Sequence, residues 1–394
     1  MVYIAALGAI NSLGNNMVEI RDNLNKCCHV QHHLTERSNW LLHNKTSWFG
    51  DVTGTLPKIP TSLSQFASRN NQLLYSAFLQ IESTIIEAIN QYGQARIAVI
   101  MGTSTSGIHE GDLAVEHYLA THSLPKNYTY NQQELGDPSH FLATLLSIHG
   151  PAYTISTACT SSARAIISGK RLIEAGIVDA AIVGGADSLS RMPINGFHAL
   201  ESISDKPCMP FAEQRSGISI GEAGALFLLT KDKCSDISIL GVGESSDAHH
   251  ISAPHPEGIG AQKAMEMALN NAHLTANDIG YINLHGTATP LNDLAESYAV
   301  HRLFHQTKTA CSSTKHLTGH TLGCAAATEL ALSYILLSEQ INLPQQDFSI
   351  SSLDPNLAPI NLVTQEMKLI KPIIMSNSFA FGGNNASLIM GKTA

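Results

Sequence analysis

The chain has 394 residues, of which 44% are hydrophobic and 14% are charged, and its formal net charge is −9. This length and apolar content are sufficient for one large core or for two fused half-domains. The acidic balance, without any block of like charge, argues against a nucleic-acid groove. The apolar runs are shorter than the roughly 20 residues that cross a bilayer, which argues against a membrane span.

Short apolar strands alternate with amphipathic helices along the chain. Residues 2–10 (VYIAALGAI) have no basic region and no small-residue cleavage site, so they predict a strand and not a signal peptide. A long helix is predicted at about residues 161–175, directly after a cysteine turn. Further strands are predicted at residues 96–101, 153–156, 180–183, 225–229, 281–284 and 309–313. This alternation favours an α/β fold.

The two halves of the sequence resemble each other weakly. In each half a strand leads through a turn into a long helix, with TACTSSARAIISGKRLIEAG in the first and TACSSTKHLTGHTLGCAAATELALSYILLSEQ in the second. Their opening strands, VYIAALGAI and ISILGVGES, also correspond, and each half carries a Gly-Gly pair near its end. Duplication of this kind predicts a five-layer α-β-α-β-α sandwich built from residues 1–232 and 233–394. Loop or cap insertions are expected in the first half, at about residues 27–60 and 105–140.

The cysteines do not form a recognisable framework. Their odd number and the absence of a Cys-x-x-Cys spacing argue against both a disulfide scaffold and a zinc ribbon, and we expect a cytoplasmic protein. The tandem His32 and His33 are interpreted as solvated loop residues, and no metal site is predicted. The seven cysteines are Cys27, Cys28, Cys159, Cys208, Cys234, Cys311 and Cys324.

Cys159 is the candidate nucleophile among these thiols. It lies between a predicted strand and a predicted helix, among the small residues of TACTSS, which leave room for an acyl group. A helix N-terminus presents the positive end of the helix dipole, which favours the thiolate form of a cysteine. The local context alone is equally compatible with a buried structural cysteine.

His285 is the first candidate histidine, in the segment NLHGTATPLND. A strand delivers it to a tight turn at Gly286, where Thr287 and Thr289 present hydroxyl groups. A lone histidine is more often a structural residue. A histidine at a strand end, followed by a glycine turn, is better placed for a functional site.

A second histidine and a charged pair lie further along the chain. His320 is flanked by glycines in SSTKHLTGHTLG, a segment that also contains Lys315. Glu329 is the one charge in the apolar helix CAAATELALSYILL. A buried carboxylate requires a partner, and Lys315 is the candidate.

The segment NSFAFGGNN follows the last predicted strands. Two glycines after Phe381 allow a loop whose backbone N–H groups point at a ligand, although an ordinary glycine turn is the alternative.

Taken together and in this order, TACTSS, HGTATPLND, SSTKHLTGHTLG and NSFAFGGNN resemble the β-ketoacyl-acyl-carrier-protein synthases of the elongating type. The resemblance runs along the whole chain and includes PFAEQRSGISIGEAGA and GESSDAHHISAP. It implies a thiolase-like fold, a dimer and a Cys-His-His site. It also implies decarboxylative Claisen condensation, in which an acyl chain on the enzyme is extended by a malonyl unit.

The resemblance assigns roles by position. Cys159 would carry the acyl chain, and His285 and His320 would donate hydrogen bonds to the malonyl thioester oxygen. Lys315 and Glu329 would orient the histidines, and the N–H groups of Cys159 and Phe381 would form an oxyanion hole. No cofactor is expected beyond the phosphopantetheine arm of the acyl carrier protein. Candidates for substrate contacts are Thr287, Thr289, Phe379, Gly382, Ile108 and Phe197.

The chain departs from the family pattern where a carrier protein would dock. SRNNQLLYSAF has few basic residues, and Arg69 and Lys206 are the remaining candidates for contacts with an acidic carrier protein. Together with HGTATPLND and the alanine at position 380, this departure favours a specialised pathway. We expect an aryl-polyene or related type II polyketide system with a chain-length-factor subunit as partner, and a fatty-acid synthase homodimer is the alternative.

Three other functions compete with this interpretation. A degradative thiolase needs a second catalytic cysteine near the C-terminus, and no cysteine follows Cys324. A non-catalytic chain-length factor would lack the nucleophile. A cysteine hydrolase leaves the second histidine and the Lys–Glu pair without a purpose.

Overall fold

The computed structural model describes residues 1–26 and 33–393. Of the tandem histidines, His32 lies outside the described residues, as does part of the insertion expected at residues 27–60. The strands are β1 (Val2–Ile10), β2 (Thr35–Arg37), β3 (Ser47–Phe49), β4 (Ile97–Gly102), β5 (Ala152–Ile155), β6 (Ala180–Asp187), β7 (Ala223–Thr230), β8 (Ile237–Ser246), β9 (Tyr281–Asn283), β10 (Ala310–Ser312), β11 (Ile373–Phe379) and β12 (Asn384–Lys392).

The strands alternate with α-helices in most of the chain. No helix among the described residues is long and apolar enough to cross a membrane. The helices are α1 (Met17–Lys26), α2 (Arg69–Leu79), α3 (Glu82–Tyr92), α4 (Ile108–Thr121), α5 (Asp137–Leu146), α6 (Ser161–Glu174), α7 (Arg191–Ala199), α8 (Ile259–Ala272), α9 (Pro290–Phe304), α10 (Lys315–Thr318) and α11 (Ala325–Ser338).

The two halves of the chain have the same strand topology. In the first half the order is β1-β7-β6-β4-β5, and in the second it is β8-β12-β11-β9-β10. In each set the first two pairings are antiparallel and the last two are parallel. A short contact between β1 and β8 joins the sets into one ten-stranded sheet. The repeated order is the structural expression of the internal duplication.

The elements stack in five layers. Helices α6 and α11 contact each other between the two strand sets, where α6 packs on β4 and β6 and α11 packs on β11 and β7. Helices α2 and α5 cover the outer face of the first set, and α8, with α9 packed beside it, covers the second. Separate buried clusters occupy the inner layer and the two outer faces. Since parallel strands end on the same edge, the loops that follow them lie near one another.

The segment expected to be a loop or cap at residues 105–140 is partly helical. It contains α4, whose sequence IHEGDLAVEHYLAT exposes Leu113, Val115 and Leu119 to solvent. These three apolar residues therefore do not mark a face packed on the core of the chain.

Candidate active site

Cys159 lies on a strained turn between β5 and α6. The preceding residue, Ala158, has a left-handed φ of +52°, which is uncommon for a residue other than glycine. Helix α6 begins two residues later, at Ser161, and the hydroxyl of Ser161 donates to the carbonyl of Ala158 at 2.6 Å. The turn directs the thiol inward, and Cys159 is only 5% exposed.

His285 lies at the end of β9, in a turn that a buried carboxylate holds. The backbone N–H groups of His285 and Gly286 donate to the two oxygens of Glu296 at 2.8 and 2.7 Å. Gly286 is required here, because its φ is +33° and a Cβ would lie 2.5 Å from Cβ of Ser313. The sequence prediction did not include Glu296, which holds this turn from helix α9.

Lys315 is buried and uses its ammonium group entirely within the site. Its Nζ donates to the carbonyl oxygen of His285 at 2.6 Å and lies 3.4 Å from Nδ1 of the same ring. It also forms a hydrogen-bonded ion pair with Glu329, so the predicted pairing of these two residues is confirmed. A lysine ammonium can donate but cannot accept. It therefore favours the His285 tautomer that carries its proton on Nε2, facing the cavity.

His320 reaches the thiol from the other half of the chain. Its backbone pairs with the loop before β7, where the His320 N–H donates to Ser219 and the Gly221 N–H donates back to His320. Nε2 of His320 lies 3.0 Å from Sγ of Cys159. The two imidazole rings meet edge to face, with centroids 5.4 Å apart. The prediction that one thiol shares a pocket with two imidazoles is confirmed.

Both histidines are held in the neutral form. Burial lowers the pKa of His285 and that of His320 well below the usual range, and the positive charge of Lys315 lowers both further. His320 differs from His285 in one respect. Among the described residues, its Nδ1 is buried and has no hydrogen-bond partner.

The protonation of Cys159 differs from the sequence prediction. Burial raises the pKa of its thiol to about 11, although Lys315 and the backbone N–H groups of Phe381 and Cys159 oppose this effect. The helix N-terminus was expected to favour the thiolate, but burial outweighs the groups that favour it. At neutral pH the sulfur is a thiol whose nearest titratable group is the imidazole of His320.

The loop between β11 and β12 closes the site from the opposite side. The N–H of Phe381 points at the Cys159 sulfur, next to the N–H of Cys159 itself. Gly382 has a φ of +86°, and its N–H donates to the carbonyl of Ile251 at 2.8 Å. The ring of Phe381 lies against Phe197, with centroids 5.5 Å apart.

A cavity of about 320 Å³ leads from the surface to Cys159, His285 and His320. Phe197, Phe379, Thr287 and Thr289 line it as expected, and the hydroxyl oxygens of the two threonines are 2.9 Å apart. Ile108 does not line this cavity and begins helix α4 instead. Gly382 also lies outside the lining, although its neighbour Phe381 is part of it.

The three site residues could also hold a metal ion. Their ligand atoms, Sγ of Cys159 and one ring nitrogen from each of His285 and His320, all lie within 4.8 Å of one another. Cysteine and histidine are the ligands that Zn²⁺ prefers. The prediction that the protein uses no metal remains a prediction.

The two candidate docking residues have different environments. Arg69 is bound within the fold, since its guanidinium donates to both carboxylate oxygens of the buried Glu222, at 2.8 and 2.5 Å. Lys206 is exposed and follows Asp205 on the surface. Only Lys206 presents a free charge to a partner.

A second buried carboxylate, also missed by the sequence prediction, joins the two halves near the site. Asp187, at the end of β6, accepts from the backbone and side chain of Thr105 at 2.7 Å and from the N–H of Cys324 at 2.9 Å. It thereby ties the turn after β4 to the loop that follows His320. The Gly-Gly pair before it, which was expected to close the first half, lies inside β6.

Known proteins match this chain over most of its length. Residues 64–234 match the family described as Beta-ketoacyl synthase, N-terminal domain, and residues 237–349 match Beta-ketoacyl synthase, C-terminal domain. The 3-oxoacyl-[acyl-carrier-protein] synthase 1 of Buchnera aphidicola subsp. Baizongia pistaciae is 31% identical, over 99% of both chains. The 3-oxoacyl-[acyl-carrier-protein] synthase 2 of Vibrio cholerae is 30% identical, over 77% of this chain and 78% of its own.

A solved structure is closer in sequence than these curated relatives. It is described as a ketosynthase, ApeO, in complex with its chain length factor, ApeC, from Xenorhabdus doucetiae. It is 55% identical, superposes with a TM-score of 0.95, and covers 100% of this chain and 98% of its own.

Proposed function

The chain belongs to the β-ketoacyl synthase family and has the thiolase-like five-layer fold, and from this premise we propose that it is a 3-oxoacyl-[acyl-carrier-protein] synthase. It would extend an acyl chain held on Cys159 by decarboxylative condensation with malonyl carrier protein. The observation that carries the proposal is the approach of Sγ of Cys159 to Nε2 of His320, at 3.0 Å, inside the cavity that His285 also lines.

In the first half-reaction the Cys159 sulfur attacks the acyl thioester of the carrier arm. Because burial holds this sulfur as a thiol, its proton must leave as the C–S bond forms, and Nε2 of His320 lies within reach of it. The imidazole returns the proton to the pantetheine sulfur as that C–S bond breaks. The products are acyl-Cys159 and free carrier thiol.

In the second half-reaction the malonyl thioester loses carbon dioxide. The electron pair of the broken C–C bond passes into an enolate, whose oxygen accepts hydrogen bonds from Nε2–H of His285 and of His320. One well-placed donor of this kind contributes about 3–4 kcal/mol. The enolate carbon then attacks the acyl carbonyl, whose oxygen accepts from the N–H groups of Cys159 and Phe381. Collapse breaks the C–S bond to Cys159 and releases the β-ketoacyl carrier protein, and the thiolate takes a proton from water.

The two histidines are equipped differently for these steps. Lys315 holds His285 in one tautomer, which suits a permanent donor. His320 must accept at Nε2 in the first half-reaction and donate from it in the second. Its ring proton must therefore move from Nδ1 to Nε2 between the two half-reactions.

The substrate reaches these groups on a phosphopantetheine arm, and we propose no other cofactor. Thr287 and Thr289 present hydroxyls in the cavity wall where the amides of such an arm would pass. We also propose a cytoplasmic location. It is supported by the thiols of the described cysteines, which are all unpaired.

For the partner, we propose a chain-length-factor subunit in an aryl-polyene or related polyketide system. The support is the 55% identity to ApeO, which was solved with its chain length factor. A second support is strand β5, which ends the sheet with a half-buried open edge. A homodimer of fatty-acid synthesis is the competing arrangement.

The test is to co-express the chain with each candidate subunit and to measure the acyl mass on Cys159 after incubation with acyl carrier protein. We expect acylation only at Cys159, followed by chain extension when malonyl carrier protein is added. Cys159→Ala should abolish extension and retain malonyl decarboxylation, because the histidine donors remain. An unacylated Cys159 together with no decarboxylation would overturn the proposal, and free acid released without extension would indicate a hydrolase.

A further inference from the structure

The mouth of the cavity is surrounded by exposed apolar side chains. Leu200, Ile251 and Leu291 are 56%, 81% and 59% exposed, and we call these three residues the apolar collar. They come from three separate places: the end of α7, the loop between β8 and α8, and the first turn of α9. Isolated exposed apolar residues are ordinary, but three that converge on one opening are not.

The collar is continuous with the catalytic cavity. Leu200 and Leu291 line that cavity, and the carbonyl of Ile251 accepts the N–H of Gly382 in the loop that carries Phe381. Any macromolecule that passes a prosthetic arm down this cavity to Cys159 must lie over the mouth. It would therefore cover the collar.

The charged residues that line the cavity do not suit an acidic partner. Among the described residues that line the cavity there is no lysine or arginine, whereas Glu201 and Asp247 are both present. Arg215 lies nearby but is buried and donates to Asp354 at 2.6 Å. Arg69 is bound to Glu222, so Lys206 is the remaining candidate cation. The cavity wall therefore offers an acidic carrier protein little favourable charge.

We propose that the acyl carrier protein docks on the apolar collar mainly through apolar contact rather than through a basic patch. The inference rests on the proposed function, because that function supplies the arm that must enter the cavity. The carrier-protein domain would cover the collar. The affinity of the protein for the carrier should then depend only weakly on salt. Exposed charge pairs weaken steeply as salt rises, whereas apolar contacts do not.

The experiment compares two acyl donors with the whole protein and its partner subunit. One donor is acyl carrier protein, and the other is the same acyl group on N-acetylcysteamine, which has no protein to dock. The variant is Ile251→Asn, since this side chain is outside the cavity lining and its backbone contact is retained. The matched control is Ile370→Asn, an 87% exposed isoleucine next to the start of β11.

We expect Ile251→Asn to raise KM for acyl carrier protein about tenfold, as for a central interface residue, and to leave acylation by the small thioester unchanged. Ile251→Leu should restore the wild-type KM, and Ile370→Asn should resemble the wild type. The kcat/KM for the carrier should fall by less than about threefold between low and high salt.

Two results would overturn the docking proposal. One is a steep fall of kcat/KM with salt while Ile251→Asn behaves like Ile370→Asn. The other is a change of oligomeric state in Ile251→Asn, which would make the collar a subunit interface. Failure of the proposed function is recognised separately, because the small thioester would then not acylate Cys159 even in the wild type.

Discussion

At the scale of single residues, burial sets the protonation of the site more strongly than charge pairing does. Burial is the largest cause of the raised pKa of Cys159 and of the lowered pKa of both histidines. The charge of Lys315 lowers the pKa of the histidines further and opposes the rise at Cys159. A neutral thiol beside neutral imidazoles follows. This state suits a reaction in which the rings donate hydrogen bonds to a developing enolate.

The thiol state predicts how Cys159 reacts with iodoacetamide. With a pKa of about 11, its thiolate fraction should rise about tenfold per pH unit through pH 7–10 without a plateau. The measurement is the pH-dependent alkylation rate of the Cys159 peptide by mass spectrometry, with the exposed Cys234 of the same sample as reference for the reagent. A plateau near neutral pH would instead indicate a thiolate–imidazolium pair with His320.

The buried pair of Lys315 and Glu329 predicts that stability and activity respond differently when both residues are replaced. Lys315→Met alone leaves a buried carboxyl without its cation, and we expect it to cost about 3–5 kcal/mol of unfolding free energy. The double variant Lys315→Met/Glu329→Leu should recover most of that stability in urea unfolding. Malonyl decarboxylation should stay at least about 100-fold below wild type in both, because His285 loses its tautomer control. Recovered decarboxylation in the double variant would contradict this role of Lys315.

The residues that the sequence predicted and those it missed differ in how they act. Cys159, His285, His320 and Lys315 stand in motifs where a chemically active side chain is flanked by glycines or small residues. Glu296 stands in none, because it acts on backbone N–H groups that lie 10 and 11 positions before it in the chain. The one sequence feature that could have identified Glu296 was a carboxylate on the buried face of α9.

At the scale of elements, the site is built from turns that are strained in the same way. Ala158, Ala288 and Leu322 all have left-handed φ angles, of +52°, +65° and +49°. Ala158 precedes Cys159, Ala288 separates the two threonines, and Leu322 lies two positions after His320. Backbone strain of this kind persists only where the surroundings hold it in place. The sequence shows which residues occupy these turns but not their φ angles, since glycine is absent from all three positions.

Backbone contacts around His320 predict that one methyl group added at Gly221 lowers the rate of malonyl decarboxylation. A Cβ at Gly221 would overlap the carbonyl oxygen of Thr318, immediately before the His320 loop. We expect Gly221→Ala to shift that loop and to lower malonyl decarboxylation about 100-fold, the loss that a displacement near 1 Å can cause. Gly196→Ala is the control, because its Cβ would meet no atom within 4 Å. Equal decarboxylation in the two variants, measured as released carbon dioxide, would show that the loop tolerates the shift.

The sequence predicted strands better than it predicted the helix in the expected cap. Central strands such as β4 and β6 are buried along their full length, so they appear as continuous apolar runs. Helix α4 was missed because most of its large apolar residues, including Leu113, Val115 and Leu119, do not face the core of this chain. Their burial would require another molecule, which the sequence of one chain does not contain.

At the scale of the whole molecule, the duplicated halves create one open sheet edge. Strand β10 at one end is covered, because the segment around Leu362 bonds to Cys311. Strand β5 at the other end pairs with β4 on one side only. The sequence predicted the two halves from their matching motifs, but the open edge follows only from the strand order.

This edge predicts that one backbone N–H controls assembly. Val99 donates to Pro151 and Thr103 donates to Ile155, so by alternation the N–H of Ala152 points away from β4. Ala152→Pro removes that donor, and Ala152→Ser keeps it. We expect Ala152→Pro to weaken association with the chain-length-factor subunit, or with a second copy, at least about tenfold, as loss of a central pairing contact would.

Sedimentation velocity of the two variants, each with the partner subunit, measures this association. Circular dichroism and acylation of Cys159 by the small thioester verify that both variants are folded, because pairing between β4 and β5 does not use this donor. If the proline variant assembles as well as the serine variant, the subunits do not pair through β5. The exposed apolar side chains of α4, Leu113, Val115 and Leu119, would then be the surface to test next.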